Sequence, residues 1–135
     1  MRIVCDTNVL ISGFLFGGNP REVLLLCSSG KVINCISPEI IQEVEDVLHR
    51  PKFGLLPEQV YRIIGLFRDT FTFVIPQNSI DVITLDPDDN RILEAADAAE
   101  AKFIISGDKH LLELALWKDI PILNPANFLR INGCL

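Results

Sequence analysis

Short apolar runs rich in β-branched residues alternate along the chain with longer stretches of helical periodicity, and this alternation limits the possible folds more than any other feature. Residues 2–5, 32–36, 71–75, 103–105 and 120–123 each read as a strand. They are continuously apolar, as strands are when helices cover both faces of a parallel sheet. Between them, residues 20–29 carry Val23, Leu24, Leu26 and Cys27 ahead of Gly30, a residue suited to end a helix. Ser37-Pro38-Glu39 opens a second helix, with serine as cap and proline in the first turn, and Pro51 stops it. Its apolar stripe is Ile40, Ile41, Val44, Val47 and Leu48. Pro57 begins a third, with Val60, Ile63, Ile64 and Phe67 at helical spacing. Asp86-Pro87 begins a fourth, lined by Ile92, Ala95, Ala96 and Ala99, and residues 108–116 and 124–129 form two short ones. Strands joined through helices predict an α/β fold: a three-layer α/β/α arrangement around a five-stranded, mainly parallel, Rossmann-related sheet.

A chain of 135 residues and 15.1 kDa is expected to form one domain over residues 1–135. Folding at that size buries roughly 68% of the extended chain's surface. Apolar residues make up 49% of it and charged residues 22%, which excludes a disordered or collagen-like protein. The richest apolar stretch, residues 9–16, is broken by Ser12 and Gly13 and falls short of the roughly 20 residues of a membrane span. Asp6 and Asn8 interrupt the layout of a signal peptide. These features predict a soluble, cytoplasmic protein with no membrane partner. Cys5, Cys27, Cys35 and Cys134 contain no C-x-x-C pair and sit in or beside apolar stretches, so they read as buried thiols in a reducing compartment. With His49 and His110 as its histidines, the chain is poorly equipped for a zinc site.

The net charge of −6 argues against a domain that holds nucleic acid mainly through a basic surface. Residues 81–100 carry seven acids and one base, Arg91, whereas residues 49–68 carry Arg50, Lys52, Arg62 and Arg68 against Glu58. In open parallel sheets, ligand sites lie beyond the carboxyl ends of the strands, where the strand order reverses. Asp6 follows the first strand directly, and Asp108 follows the fourth through Ser106 and Gly107. If those strands are neighbours, the two carboxylates share one crevice. Asp6 has no cap to make on this reading, and Asn8 beside it adds a second oxygen donor. Asp89 lies on the apolar side of its own helix, where capping and binding are equally good explanations. For Asp86 and Asp88, capping of the helix start is the better one. Glu43 and Glu45 flank their helix's apolar stripe symmetrically, and periodicity does not choose between them. Several carboxylates meeting in one pocket raise each other's pKa unless a cation holds them ionised. Hard oxygen ligands select Mg²⁺ or Mn²⁺, and such a site supports phosphodiester hydrolysis.

Ile3-Val4-Cys5-Asp6-Thr7-Asn8 resembles the opening signature of the PIN-domain ribonucleases. The helix carrying Ile41-Gln42-Glu43-Val44 resembles their second motif. Asp86-Pro87-Asp88-Asp89-Asn90-Arg91-Ile92-Leu93-Glu94-Ala95-Ala96 resembles the third, and Phe103-Ile104-Ile105-Ser106-Gly107-Asp108 the fourth, where the family often has threonine in place of Ser106. The resemblance spans about residues 2–124. It implies an acidic tetrad of Asp6, Glu43, Asp89 and Asp108 binding Mg²⁺ or Mn²⁺, with Asn8 and Ser106 as supporting polar groups and Asp88 and Glu94 as outer-shell candidates. It also implies endonucleolytic cleavage of single-stranded RNA by a homodimeric, VapC-like toxin with an antitoxin partner. Arg50, Lys52, Arg62 and Arg68 are candidates for phosphate contacts, and a solvated helix face is an equally good account of them. Two other readings remain: a non-catalytic PIN-like interaction module, and a phosphoaspartyl phosphatase or receiver domain. The latter fits poorly, because Asn8 stands where the phosphatase needs a second aspartate and Lys109 comes only after Asp108.

Overall fold

The computed structural model describes residues 1–83 and 87–133. The helix start expected at Asp86, and Cys134, lie outside the described residues. In chain order the elements are β1 (Arg2–Cys5), α1 (Thr7–Leu15), α2 (Gly18–Ser28), β2 (Ile33–Ile36), α3 (Pro38–Leu48), a 3-10 turn at Pro51–Phe53, α4 (Pro57–Thr70), β3 (Thr72–Phe73), α5 (Asp89–Ala99), β4 (Phe103–Ile105), α6 (Lys109–Leu114), β5 (Leu116–Trp117), β6 (Ile120–Leu123) and α7 (Pro125–Ile131). The strands form one sheet in the order β3-β2-β1-β4-β6-β5, all parallel except the β5–β6 pair. Ile3 and Val4 point to opposite faces of β1 and both are fully buried, as are Ile104 and Ile105 in β4. Both faces of the central sheet are therefore covered, giving the three-layer α/β/α architecture. Cys5, Cys27 and Cys35 are buried free thiols, and burial pushes the Cys27 pKa up to about 12, so they act as small core hydrophobes.

Among the described residues the sheet has six strands rather than five. The extra one, β5, is a two-residue edge strand that turns back onto β6 through Lys118 and Asp119, whose φ angles are +46° and +64°. Hairpin turns of this kind usually carry Asn-Gly or Asp-Gly, and Lys-Asp gives no such signal. Helix α1 also escapes the periodicity reading, since Val9, Leu10, Ile11 and Gly13 are all buried and a helix enclosed on most sides shows no polar stripe. The third strand is shorter than expected, β3 having two residues. Asp88 precedes α5 without a side-chain cap hydrogen bond, so the capping role expected for it is not realised.

α1 gives way to α2 with a bend of 95° at Gly17 and Gly18, whose φ angles are +100° and +69°. No single helix among the described residues is long and apolar enough to cross a membrane. The bend sets Pro20, in the first turn of α2, against Gly13 of α1. Gly17, at φ +100° and ψ −145°, occupies a region that side chains avoid. Gly17→Ala should lower the unfolding free energy by about 1–3 kcal/mol. Gly65 lies inside α4 with no atom within 4 Å of an added Cβ, and Gly65→Ala should raise that free energy by about 0.5–1 kcal/mol. Urea titrations of the two variants check both signs, and equal effects would contradict the backbone argument.

Candidate functional site

The pairing of β1 with β4 creates the site. Cys5 sits opposite Ile105, and the Asp6 N–H donates to the Ile105 carbonyl at 2.9 Å, so the residues just past the two strand ends lie side by side. β1 is also where the strand order reverses, β2 lying on one side and β4 on the other. The adjacency on which a shared crevice depended is present.

Asp6 is buried, with 4% of its surface exposed. Contrary to the sequence reading, it does make a cap: its Oδ1 accepts from the Val9 N–H at 2.9 Å at the start of α1. Its Oδ2 accepts from the Ser106 hydroxyl. Ser106 is fully buried, and its Oγ in turn accepts from the Asp108 N–H at 2.8 Å, so one serine ties the first and fourth motifs together. Asp108 caps α6, its Oδ1 accepting from the N–H groups of His110 at 2.8 Å and Leu111 at 3.1 Å. Asp89, the first residue of α5, hydrogen-bonds the Asp108 side chain. Glu43, from the middle of α3, accepts at Oε2 from the Thr7 hydroxyl at 3.0 Å. Asp6, Thr7, Asn8, Glu43, Asp89, Ile92 and Asp108 line one cavity of about 50 Å³, room for a few waters or one small ion. The structure thus brings the four acids to one place and selects Glu43 over Glu45.

The electrostatics of the pocket are uneven. Burial is the main cause that raises the Asp6 pKa from 3.8 to about 6, and the charge of Asp108 adds to it. The hydrogen bonds from Ser106, Val9 and Gly107 pull the other way. Partial burial also works to raise the Asp108 pKa, but hydrogen bonds from Asp89 and the Leu111 and His110 N–H groups outweigh it, and its carboxyl sits below the ordinary value. Two carboxyl groups in hydrogen-bond contact need a proton between them, or a cation in its place.

The donor set fits a hard divalent ion. Asp6 accepts from Ser106, Val9 and Gly107, which leaves one of the four lone-pair positions on its two oxygens open. Among the described residues no three acids or histidines form a ready-made coordination shell; Mg²⁺ commonly keeps several waters and takes one or two carboxylates directly.

Other candidates fall elsewhere. Glu94 is buried away from the cavity, where its Oε2 accepts from the Ile80 N–H at 2.9 Å and pairs with Arg91 at 3.2 Å. Together with Asn90, whose side chain bonds the backbone of Val82, Ile83 and Pro87, it anchors the segment entering α5. Asp88 is exposed and outside the cavity lining. Arg50, Lys52, Arg62 and Arg68 are exposed and none lines the cavity, Lys52 lying over the Phe53 ring and Arg68 over Phe73. Thr7, which positions Glu43, was not singled out; its place between Asp6 and Asn8 was the available signal.

Residues 2–110 match the PIN domain family, and the chain belongs to that family. It is 30% identical over 118 residues to an uncharacterized protein of Methanocaldococcus jannaschii, covering 84% of this chain and 75% of that protein. Its fold matches a chain of VapBC2 from Rickettsia felis, solved bound to a DNA fragment from their promoter, with a TM-score of 0.63 at 13% identity over 92% of this chain and 98% of that one.

The raised Asp6 pKa sets a pH dependence. Between about pH 4 and 6 the unfolded chain releases this proton before the folded one does. The folded state then binds more protons, and stability falls as pH rises through that window. The loss above pH 6 is about 3 kcal/mol. In EDTA, Asp6→Asn should remove most of this decline and melt higher than the wild-type chain at pH 7.5, while at pH 4 the two should converge. A wild-type stability that does not fall between pH 4 and 6.5 would contradict the assignment.

Proposed function

We propose that this protein is a divalent-metal-dependent endoribonuclease that cleaves single-stranded RNA, the toxin of a toxin–antitoxin pair. The observation that carries the reading is the convergence of Asp6, Glu43, Asp89 and Asp108 on one cavity in a chain of the PIN family. Asp6, Asp89, Asp108 and Glu43 would hold Mg²⁺ or Mn²⁺. When bound, such an ion supplies Lewis acidity that activates water and neutralises charge developing on the phosphate.

The chain's own residues do the positioning. Ser106 fixes the Asp6 carboxylate and the Asp108 backbone together, and Thr7 holds Glu43 at 3.0 Å. Asn8 is exposed at the cavity's edge, where it supports the site as a polar neighbour of the acids. Arg50 follows the end of α3, the helix that carries Glu43, and with Lys52, Arg62 and Arg68 it meets phosphates away from the scissile one. For an antitoxin, support comes from an apolar groove of about 340 Å³ whose lining includes Phe14, Leu24, Leu25, Leu66, Phe67 and Phe71. The VapBC2 likeness adds support for such a partner, and we extend the proposal to a homodimer acting in the cytoplasm.

Purified chain should cleave unstructured RNA with Mg²⁺ or Mn²⁺ and lose that activity in EDTA. Asp6→Asn and Asp89→Asn should reduce cleavage to background while keeping the fold by circular dichroism. Ser106→Ala should weaken metal binding, read by calorimetry, by about 10–100-fold. Metal-dependent cleavage that persists in Asp6→Asn would refute the nuclease reading, and absence of cleavage by a chain that still captures a small partner would favour the interaction module.

A further inference from the structure

A second cavity of about 280 Å³ adjoins the acidic one. It is lined by Asn8, Val9, Ser12, Asn19, Pro20, Gly107, Asn124, Pro125 and Ala126. Asn8 lines both cavities, and Gly107 sits between Ser106, which holds Asp6, and Asp108. The volume is at the lower limit for small-molecule sites, roughly 300 Å³, several times what an ion needs. Val9, Pro20, Pro125 and Ala126 supply apolar surface, and three asparagine side chains and one serine supply polar groups. Among the described residues no hydrogen bond occupies the side chains of Asn8, Asn19 or Ser12. Asn124 commits its Oδ1 to the Asn127 N–H at 2.8 Å and keeps its NH₂ group.

Gly107 bears on how the two cavities connect. Its φ is not in the left-handed region, and no atom lies within 4 Å of an added Cβ. Neither backbone geometry nor packing requires glycine there, and an added side chain would stand in the open space beside the larger cavity that Gly107 lines. The bend at Gly17 and Gly18, which carries Asn19 and Pro20 back beside α1, builds the opposite wall.

We propose that this cavity is a nucleobase site that selects adenine in the nucleotide next to the scissile phosphate. The proposal rests on the nuclease reading for its role in cleavage, and on the cavity alone for binding. An apolar slot with amide groups suits a flat, uncharged heterocycle with donors and acceptors on its edge. Asparagine pairs with the N6 and N7 edge of adenine, whereas guanine is best met by Arg or Lys and cytosine by a carboxylate. No such charged side chain is among the cavity's described lining residues.

The test is titration of ¹⁵N-labelled protein in EDTA with adenosine, guanosine, cytidine and uridine. Adenosine should shift the side-chain amide signals of Asn8, Asn19 and Asn124 and the backbone signal of Ala126, and bind most tightly of the four. Asn19→Ala, at an exposed position, should weaken adenosine about threefold to tenfold. Ala126→Phe, which fills the slot, should abolish the shifts, its fold checked by the rest of the spectrum. In cleavage of a randomised RNA pool with Mn²⁺, Asn19→Ala should flatten a preference for adenine at one position flanking the cut. No adenosine shift at these residues, or a tighter fit for another base, overturns the proposal even if RNA is cleaved. Adenosine binding there by a chain that cuts no RNA sustains the site and overturns the nuclease reading instead.

Discussion

The parallel pairing of β1 with β4 is the constraint from which the site follows. The register that sets Cys5 opposite Ile105 places Asp6 beside Ser106 and two residues of chain from Asp108. The same two strands carry Ile3, Val4, Ile104 and Ile105, which are fully buried against the helices on the two faces. Burial of the strands and placement of the acids are thus one event. A sequence change that loosened the apolar fit of these strands would be felt at the carboxylates, although it touched none of them.

The acids are held at a cost to stability, which the helix starts partly offset. Asp6 caps α1, Asp108 caps α6, and Asp89 stands in the first turn of α5. Backbone N–H groups and helix dipoles at those ends favour negative charge. For Asp108 the hydrogen bond with Asp89 leads, the Leu111 and His110 N–H groups add to it, and its pKa falls below the ordinary carboxylate value. For Asp6 they do not suffice, because burial outweighs the three hydrogen bonds it accepts. A site that leaves one carboxylate short of stabilisation is one in which added positive charge is strongly favoured.

Much of this was legible in the chain. The parallel α/β class followed from apolar strands separated by helices; Asp6 and Asp108 stood out at strand ends, Asp89 was even between capping and binding, and the set of four with Glu43 came only from the resemblance to the PIN family. What escaped notice had physical reasons. α1 is enclosed on most sides and shows no polar stripe. The Lys118–Asp119 turn adopts left-handed φ angles without glycine or asparagine. Asp6 was read as lacking a cap only because α1 was not foreseen. Glu43 and Glu45 were symmetric on a helical wheel, and it takes the Thr7 hydroxyl, 36 residues away in sequence, to distinguish them. Glu94 looked like a pocket acid, yet its carboxylate holds the Ile80 segment.

The charge distribution bears on how such a chain would engage RNA. With a net charge of −6, counterion release of the kind that drives binding to basic surfaces is a small contribution, and the acidic cavity itself repels phosphate. On the proposed reading, attraction would come from a bound cation at the scissile position, from the scattered bases of the 3-10 turn and α4, and from uncharged contacts to the base. The first acts on every phosphate alike and carries no sequence information. On the proposed nuclease reading, selectivity would fall to hydrogen bonds and packing around a base, and the amide-lined cavity beside Gly107 is where the proposal places both.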